Sequence, residues 1–410
     1  MSVSNTADIV IIGGGIIGNS IAAYLSNKTE SKIVLLEQNQ LCSGSTSLSA
    51  SLVTKLRNQT NLIPFIEETY KAIDRMEKKF GESLGKRKVG CLHLASSQNS
   101  EDKIHELVQI ANQFNIHVET ADKQDIKTQI PWLDTEKIQK AIFVPDEFYL
   151  DGSILAMAYF KEARLNGIEY HTNTTVTEII TNDYKVLGVK TNNITWYSST
   201  VIDAAGIWSN LLLKNLRTPV PFAPVRSLYF ITETNPEKYP GNQPICILPD
   251  ANAYTRPESG ALLIGFRDQN SPWFHPFGIN QNLISQNFIS EEEKWEILIN
   301  ETSGLQNLIP DFEDIGIAHT IAAPCAYTHD GNLVLGEIPK IEGLYIATGC
   351  NGGGIATSGG IGRVITELVL NEKSFAKIKP FQPDRIVDFN PFSEEFMQTC
   401  SATRSRKKSG

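Results

Sequence analysis

Three glycines, Gly13, Gly15 and Gly18, are spaced as G-x-G-x-x-G, a pattern that can hold a nucleotide. An apolar run, Asp8-Ile9-Val10-Ile11-Ile12, leads into them, and a second apolar run ends in Glu37. The order is strand, turn, helix, strand, acid. Gly13 permits the tight turn, Gly15 lets the backbone approach a pyrophosphate, and Gly18 lets the helix pack closely on the strand. Ile16 and Ile17 open that helix, whose free N–H groups and positive dipole end would meet the phosphates. Glu37 lies 22 residues beyond Gly15, where a carboxylate accepts hydrogen bonds from ribose hydroxyls and repels a 2′-phosphate. Dinucleotide binding is the expected chemistry. The pattern does not separate a flavin from a nicotinamide.

A second glycine-rich segment, Gly349-Cys350-Asn351-Gly352-Gly353-Gly354, follows a strand expected at Leu344–Thr348. It opens a helix expected from about Ile355 to Leu370. Two helix N-termini aimed at one ligand imply a long ligand, with phosphates at one end and an electron-accepting ring at the other. A reduced flavin ring gathers negative charge that helix N–H groups stabilise. Between these segments, Val201–Asp203 is a buried strand followed by Ala204, Ala205, Gly206 and then Trp208. Such small residues let the chain pass close to a cofactor, or simply pack against a neighbouring strand.

The remaining elements must position these groups. Residues 58–81 read as a long amphipathic helix closed by Gly81, Ile104–Phe114 and Ser153–Asn166 as further helices, and Lys88–Ala95 as a strand. Thr174–Ile180, Val186–Lys190 and Ile194–Ser198 read as strands. Residues 217–317 are rich in proline, aromatics and short strands (Tyr229–Thr232, Ala253–Arg256, Ala261–Phe266), the pattern of an inserted antiparallel sheet. The expected fold is therefore a mixture of α/β and α+β: a Rossmann-like dinucleotide domain from 1–82, 141–216 and 318–385, and a substrate domain from 83–140 and 217–317. Residues 386–410 are expected as a tail, with Arg404-Ser405-Arg406-Lys407-Lys408 a frayed, solvated end.

The chain of 410 residues is long enough for two domains, and its net charge of −9 gives nucleic acid no reason to bind. No stretch approaches about 18 uninterrupted apolar residues, so no membrane span is expected. The N-terminal apolar run enters the glycine motif directly and is a core strand, not a signal peptide. Six scattered cysteines without a C-x-x-C pair, and seven dispersed histidines, predict neither disulfides nor a metal site and fit a reducing, cytoplasmic setting.

Taken together these landmarks resemble the D-amino-acid-oxidase-like flavoprotein family, closest to glycine oxidase, sarcosine oxidase and the flavin domains of sarcosine and dimethylglycine dehydrogenases. They are the fingerprint with Glu37, Ser43–Ser47, Asp151-Gly152, Asp203–Trp208, Leu262–Phe266, Tyr327–Gly331 and Ala347–Gly354, in order over most of the chain. The resemblance implies FAD as cofactor and oxidation of an amine or amino acid at a C–N bond to an imine. It implies that Gly44, Ser45 and Thr46 lie at the pyrophosphate or under the flavin, and that Val176 sets its backbone against the adenine. It extends the cofactor contacts to Ala205, Gly206, Trp208, Gly349, Asn351, Gly352, Gly353, Gly354 and Ile355.

The departures from the family pattern are informative. Leu48 stands where the sarcosine and dimethylglycine dehydrogenases carry a flavin-linking histidine, which excludes that link. Cys325-Ala326-Tyr327-Thr328 matches the Cys-x-Tyr-Thr of monomeric sarcosine oxidases, whose cysteine bonds the flavin. A bond from Cys325 and a small buried cysteine beside the ring both fit, the second being the reading taken here. Glycine oxidase resembles this chain with an arginine at that position, so a copy of its substrate grip is disfavoured. Ala356 and Leu263 replace two lysines of those oxidases, one for the substrate carboxylate and one for reaction with O₂. The apolar Leu263 predicts slow oxygen reaction, hence a dehydrogenase or a slow oxidase.

A substrate carboxylate would need a cation, best a bidentate arginine. The candidates are Arg57, Arg226, Arg256 and Arg267, with Tyr254 as a hydroxyl donor on the same strand face as Arg256. His319 and His329 flank Cys325 in sequence and are candidates for the ring's surroundings. Expected partners are a small amine or amino acid and, if O₂ reacts slowly, an electron-accepting protein. Two further readings stay open: a 2-hydroxy-acid dehydrogenase on the same architecture, and a flavoprotein subunit of a larger dehydrogenase. No folate-type domain is expected after the last flavin helix.

Overall fold

The computed structural model describes residues 4–407. The glycine turn belongs to a six-stranded sheet in the order Val334–Glu337, Leu344–Thr348, Thr200–Asp203, Ile9–Ile12, Ile33–Leu36, Glu169–His171. All neighbours are parallel except the first pair. Every residue of Ile9–Ile12 and Ile33–Leu36 is buried, which is why both read as continuous apolar runs and not as alternating strands. Ile9, Ile11, Ile33 and Leu35 face one core, formed with the helices Ile16–Ser26, Ile63–Phe80, Gly152–Leu165 and Gly354–Val369. Val10, Ile12, Val34 and Leu36 face the opposite core, capped by a four-stranded sheet made from Ser4–Thr6, Thr195–Tyr197, Val186–Thr191 and Val176–Thr181.

Helix Gly354–Val369 is wedged between two others because it offers glycine where they touch. A Cβ on Gly360 would lie 2.3 Å from Phe65 Cα, and one on Gly362 would lie 2.3 Å from Ser20 Oγ. This close packing aligns the two glycine-rich helix starts on one side of the sheet.

A second, eight-stranded sheet runs Ile317–Thr328, Phe222–Thr232, Ala261–Phe266, Ala253–Glu258, Ile245–Leu248, Cys91–Ala95, Lys140–Val144, Glu119–Thr120. It is antiparallel apart from the pairing of Ile245–Leu248 with Cys91–Ala95. One lateral row across it places Tyr229, Gly265, Tyr254, Ile247 and His93 on a single face. Gly265 is required there, since a Cβ would sit 1.9 Å from the Tyr254 ring. The expected mixture of a Rossmann-like sheet and an antiparallel-sheet substrate part is what forms.

Several elements are longer than the sequence patterns indicate. Strand Phe222–Thr232 begins seven residues before the expected Tyr229 and pairs along its length with Ile317–Thr328. Pro224 and Pro324 disguise both strands. Ile317–Thr328 is an edge strand, where the missing N–H of Pro324 is tolerated. Helix Gln98–Gln113 starts earlier than expected because Ser97 and Ser100 form a reciprocal cap. The basic end is not frayed. Ser393 caps a helix from Glu394 to Arg406 whose Phe396, Met397 and Cys400 pack against Ala223, Val225 and Tyr327. No helix among the described residues is long and apolar enough to cross a membrane.

Candidate functional site

The carboxyl ends of four neighbouring strands converge where Gly13, Glu37, Ala204 and Gly349 follow them. This is the switch point of an open α/β sheet, where ligands bind. Gly13 has φ +103°, and a Cβ on it would meet Ala204 O at 2.5 Å. Gly18 lies behind the turn, where a Cβ would strike Gly13 O at 1.9 Å. An elongated cavity of about 550 Å³ starts at Glu37 and Val176 and passes Gly13, Gly15, Ile16, Ile17, Gly44, Ser45 and Thr46. It continues along Ala205, Gly206 and Trp208 to Cys325, Gly352, Gly354 and Ile355. Its lining therefore includes sixteen of the expected cofactor contacts. Trp208 Nε1 is buried there without a partner, a donor waiting for an acceptor. The shape and the donors fit a dinucleotide with a ring at its far end.

Four expected contacts have other places. Gly18 acts through helix packing alone. Gly349, at φ +67°, makes a turn. Asn351 clasps that turn: its Oδ1 accepts from Thr328 N at 2.9 Å and its Nδ2 donates to Gly349 O at 2.6 Å. Gly353 lines a neighbouring cavity. Glu37 lines the cradle as expected, but its carboxylate is already engaged, with Oε2 accepting from Gly14 N at 2.6 Å and Oε1 from Asn39 N at 2.8 Å. Burial raises its pKa, and those backbone N–H bonds oppose the rise. Thr46 Oγ1 accepts from Ile16 N at 3.0 Å, which places a hydroxyl on the first helix N–H groups.

A smaller cavity of about 90 Å³ adjoins the cradle. Ser49, Cys325, Gly352 and Ile355 line both and mark the seam where the ring of a long ligand would end. The inner wall includes Arg57, Tyr229, Tyr254, Arg267, Tyr327, Ala356, Arg404 and Lys407. Ala356 supplies room instead of a cation. Arg57 is 2% exposed and anchored to the carbonyl and hydroxyl of Thr54. Burial pushes its pKa down to about 10 against the pull of Glu147. Arg267 stacks over the Tyr254 ring at 5.7 Å. Burial raises the Cys325 thiol above the usual range, which keeps it protonated at neutral pH.

Other candidates are elsewhere. Arg256 is spent on structure: its Nε donates to Ala50 O at 2.8 Å, its Nη1 to Pro257 O at 2.8 Å, and Glu258 pairs with it at 2.6 Å. Alternation rightly puts Tyr254 and Arg256 on one strand, but the guanidinium braces the Ala50 loop and does not line the cavity. Arg226 is buried between Asp268 (2.8 Å) and Glu293 (2.6 Å). His319 is exposed. His329 lines a third cavity, not the inner one. Leu263 is fully buried on the face shared with Gly265 and Arg267 and stays out of the cavity wall.

Arg404 and Lys407 escaped sequence reading because their segment resembled a loose basic tail. The usable signal was Ser393 before Glu394 and Glu395, with Phe396, Met397 and Cys400 at helical spacing. A second unforeseen group lies behind Arg57, where ligand atoms of Cys91, His93 and Glu147 come within 4.8 Å of one another. Glu147 Oε1 accepts from Lys55 N and Leu56 N at 2.6 and 2.7 Å, and burial pushes its pKa up to about 7. Burial, and then Arg57, push His93 down to about 4. Arg57 is the positive charge this cluster faces.

Residues 8–368 match the model of the DAO family, FAD dependent oxidoreductases. The chain belongs to that family. It is 26% identical over 366 residues to the pyruvate dehydrogenase phosphatase regulatory subunit, mitochondrial, of Mus musculus, covering 89% of this chain and 41% of that one. It is 25% identical over 377 residues to mitochondrial sarcosine dehydrogenase of Homo sapiens, covering 90% of this chain and 40% of that one. The chain thus spans about two-fifths of the length of these relatives. Among solved structures, L-proline dehydrogenase from P. horikoshii superposes with a TM-score of 0.81 at 22% identity, over 93% of this chain and 98% of that one. FAD is the cofactor of the family, and the cradle's shape and donors fit it.

Proposed function

We propose that this chain oxidises the C–N bond of a small amine or amino acid to an imine. The observation that supports this most is the cation-walled inner cavity opening onto the ring end of the cradle through Ser49, Cys325, Gly352 and Ile355. FAD, when bound, supplies the acceptor for the hydride that leaves the carbon next to nitrogen. Gly13, Gly15, Ser45, Thr46 and Trp208 would hold its phosphates and linker, and the N-terminus of helix Gly354–Val369 would face its ring.

The protein's own part is positioning and charge. Arg57, fixed by Thr54, can grip a substrate carboxylate with its fork. Orientation of the reacting C–H bond by such a grip can supply several kcal/mol of the barrier, up to about 7–11 in the best models. Among the described residues no acidic side chain lines the inner cavity, and the guanidinium groups of Arg57, Arg267 and Arg404 disfavour a substrate ammonium there. The wall therefore selects the neutral amine, whose lone pair must be free for the hydride to leave. Tyr229, Tyr254 and Ile355 supply ring and aliphatic surface to the cavity wall.

A dehydrogenase, handing electrons to a partner protein, is favoured over an oxidase by the apolar Leu263, since no cation at that position can stabilise developing superoxide. Cys325 lies at the seam, the place a thioether to the ring would need. Six unpaired cysteines suit a cytoplasmic setting.

The test is anaerobic bleaching of the yellow flavin band by sarcosine, dimethylglycine, glycine, proline, D-amino acids and 2-hydroxy acids. Bleaching by an amine class is expected, with slow recovery of colour in air. Bleaching by hydroxy acids alone would overturn the C–N reading.

A further inference from the structure

The inner cavity carries more positive charge than one carboxylate needs. Arg57, Arg267, Arg404 and Lys407 stand in its wall with no acidic residue among them. Among the described residues, the carboxylates that face Arg57 and Arg404 lie outside the wall: Glu147 behind Arg57, and Asp268, which is shared by Arg226 at 2.8 Å and Arg404 at 3.5 Å. Arg404 and Lys407 come from the end of the last helix, on a different element from Arg57. Arg404 Nη2 donates to Phe266 O at 2.8 Å, while its Nε is buried without a partner. Lys407 Nζ donates to Asn351 O at 3.0 Å, beside Gly352 at the seam, and keeps N–H groups for a ligand. The surrounding wall opposes the charge on Lys407, through burial first and then Arg267, Arg57 and Arg404. An anion between these groups offsets the repulsion from the three arginines. A wider cavity of about 440 Å³ shares Tyr327 and Lys407 with the inner one and is also lined by Lys103, Arg406 and His329. Its one acid, Asp330, is paired with Arg385 at 2.8 Å. The approach to Lys407 is therefore basic as well.

We propose that the substrate carries two anionic groups, one gripped by Arg57 and the other by Arg404 and Lys407, so that the enzyme selects dicarboxylic amines or amino acids. This rests on the reading of the inner cavity as the substrate site. It also explains how the site can lack the carboxylate-binding lysine that Ala356 replaces: the last helix brings cations to the same cavity from another direction.

The test uses the flavin-loaded protein and matched pairs: sarcosine against N-methylaspartate, alanine against glutamate, lactate against malate. Flavin reduction is followed anaerobically. The dicarboxylic member of each reactive pair should half-saturate at least tenfold lower. Lys407→Met should shrink the preference for the dicarboxylate over its monocarboxylic partner at least tenfold, read as the ratio of the two half-saturating concentrations. Equal or better use of the monocarboxylate, or equal loss on both in the variant, would overturn the proposal. Reduction by malate but not by any amine would refute C–N oxidation and keep the two-anion site. Unreactive succinate and propionate are titrated into the wild type, with flavin absorbance and thermal midpoint as readouts. Succinate should bind at least tenfold more tightly, and equal binding would overturn the proposal whatever the catalytic result or the folding of the variant.

Discussion

Arg57 has the inner cavity on one side and Cys91, His93 and Glu147 on the other. For Arg57, His93 and Glu147 burial is the largest influence, and each is pushed toward its neutral form. Glu147 carries a pKa near 7 against an ordinary 4.5. Between those values the folded protein holds a proton that the unfolded chain has released. Stability contributed by this group therefore falls as pH rises through that window, and stays lower above it. Glu147→Gln keeps an oxygen for Lys55 N and Leu56 N and removes the titration. Thermal melts from pH 5 to 8 should show the variant gaining on the wild type as pH rises. A constant difference across that range would refute the assignment. His93 acts in the opposite sense over its own window, from about 4 to 6.5, where stability rises with pH. None of this was visible in sequence. Cys91 and His93 share one strand, but Glu147 follows the strand Lys140–Val144, and only the pairing of those two strands brings it to them. The glycines were legible, because Gly13 and Gly18 answer to steric demands that a local pattern encodes. Glu37 was legible in place but not in detail, since its bond to Gly14 depends on the folded turn.

Among the elements, the helix Glu394–Arg406 matters most for the site, because it delivers Arg404 and Lys407. Its Ser393 cap and its buried Met397 hold it on the edge of the eight-stranded sheet. Ser393→Ala should cost about 1 kcal/mol of stability, and Met397→Ala about 2–5 kcal/mol, both read from denaturant midpoints. Met397→Ala should also weaken binding of carboxylate ligands, while flavin content is kept. Unchanged ligand binding with a lowered midpoint would show that the helix does not position the cations. Elements with strong periodicity, such as Ile63–Phe80 closed by Gly81 at φ +70°, were readable from apolar spacing and punctuation. Strands Phe222–Thr232 and Ile317–Thr328 were only partly readable, since proline breaks the local pattern and long-range pairing restores it. Arg256 shows the same limit from the other side. Its strand was placed correctly, yet the Ala50 carbonyl, over 200 residues away, claims its guanidinium.

The whole molecule sets one sheet's carboxyl ends against another sheet's face. The first forms the dinucleotide-shaped cradle and the second supplies Tyr229, Tyr254, Cys325 and Tyr327 to the inner wall. The protein is acidic overall, with net charge −9, yet its inner cavity is lined by cations. That contrast arises from placement, which composition does not reveal. The most direct measurement of C–N oxidation at the seam takes the amine that reduces the flavin fastest and compares it with the same amine deuterated at the carbon next to nitrogen. In an anaerobic single turnover, the labelled compound should reduce the flavin several-fold more slowly, with one carbonyl product and one amine or ammonia released per flavin reduced. Equal rates without those products would contradict the account.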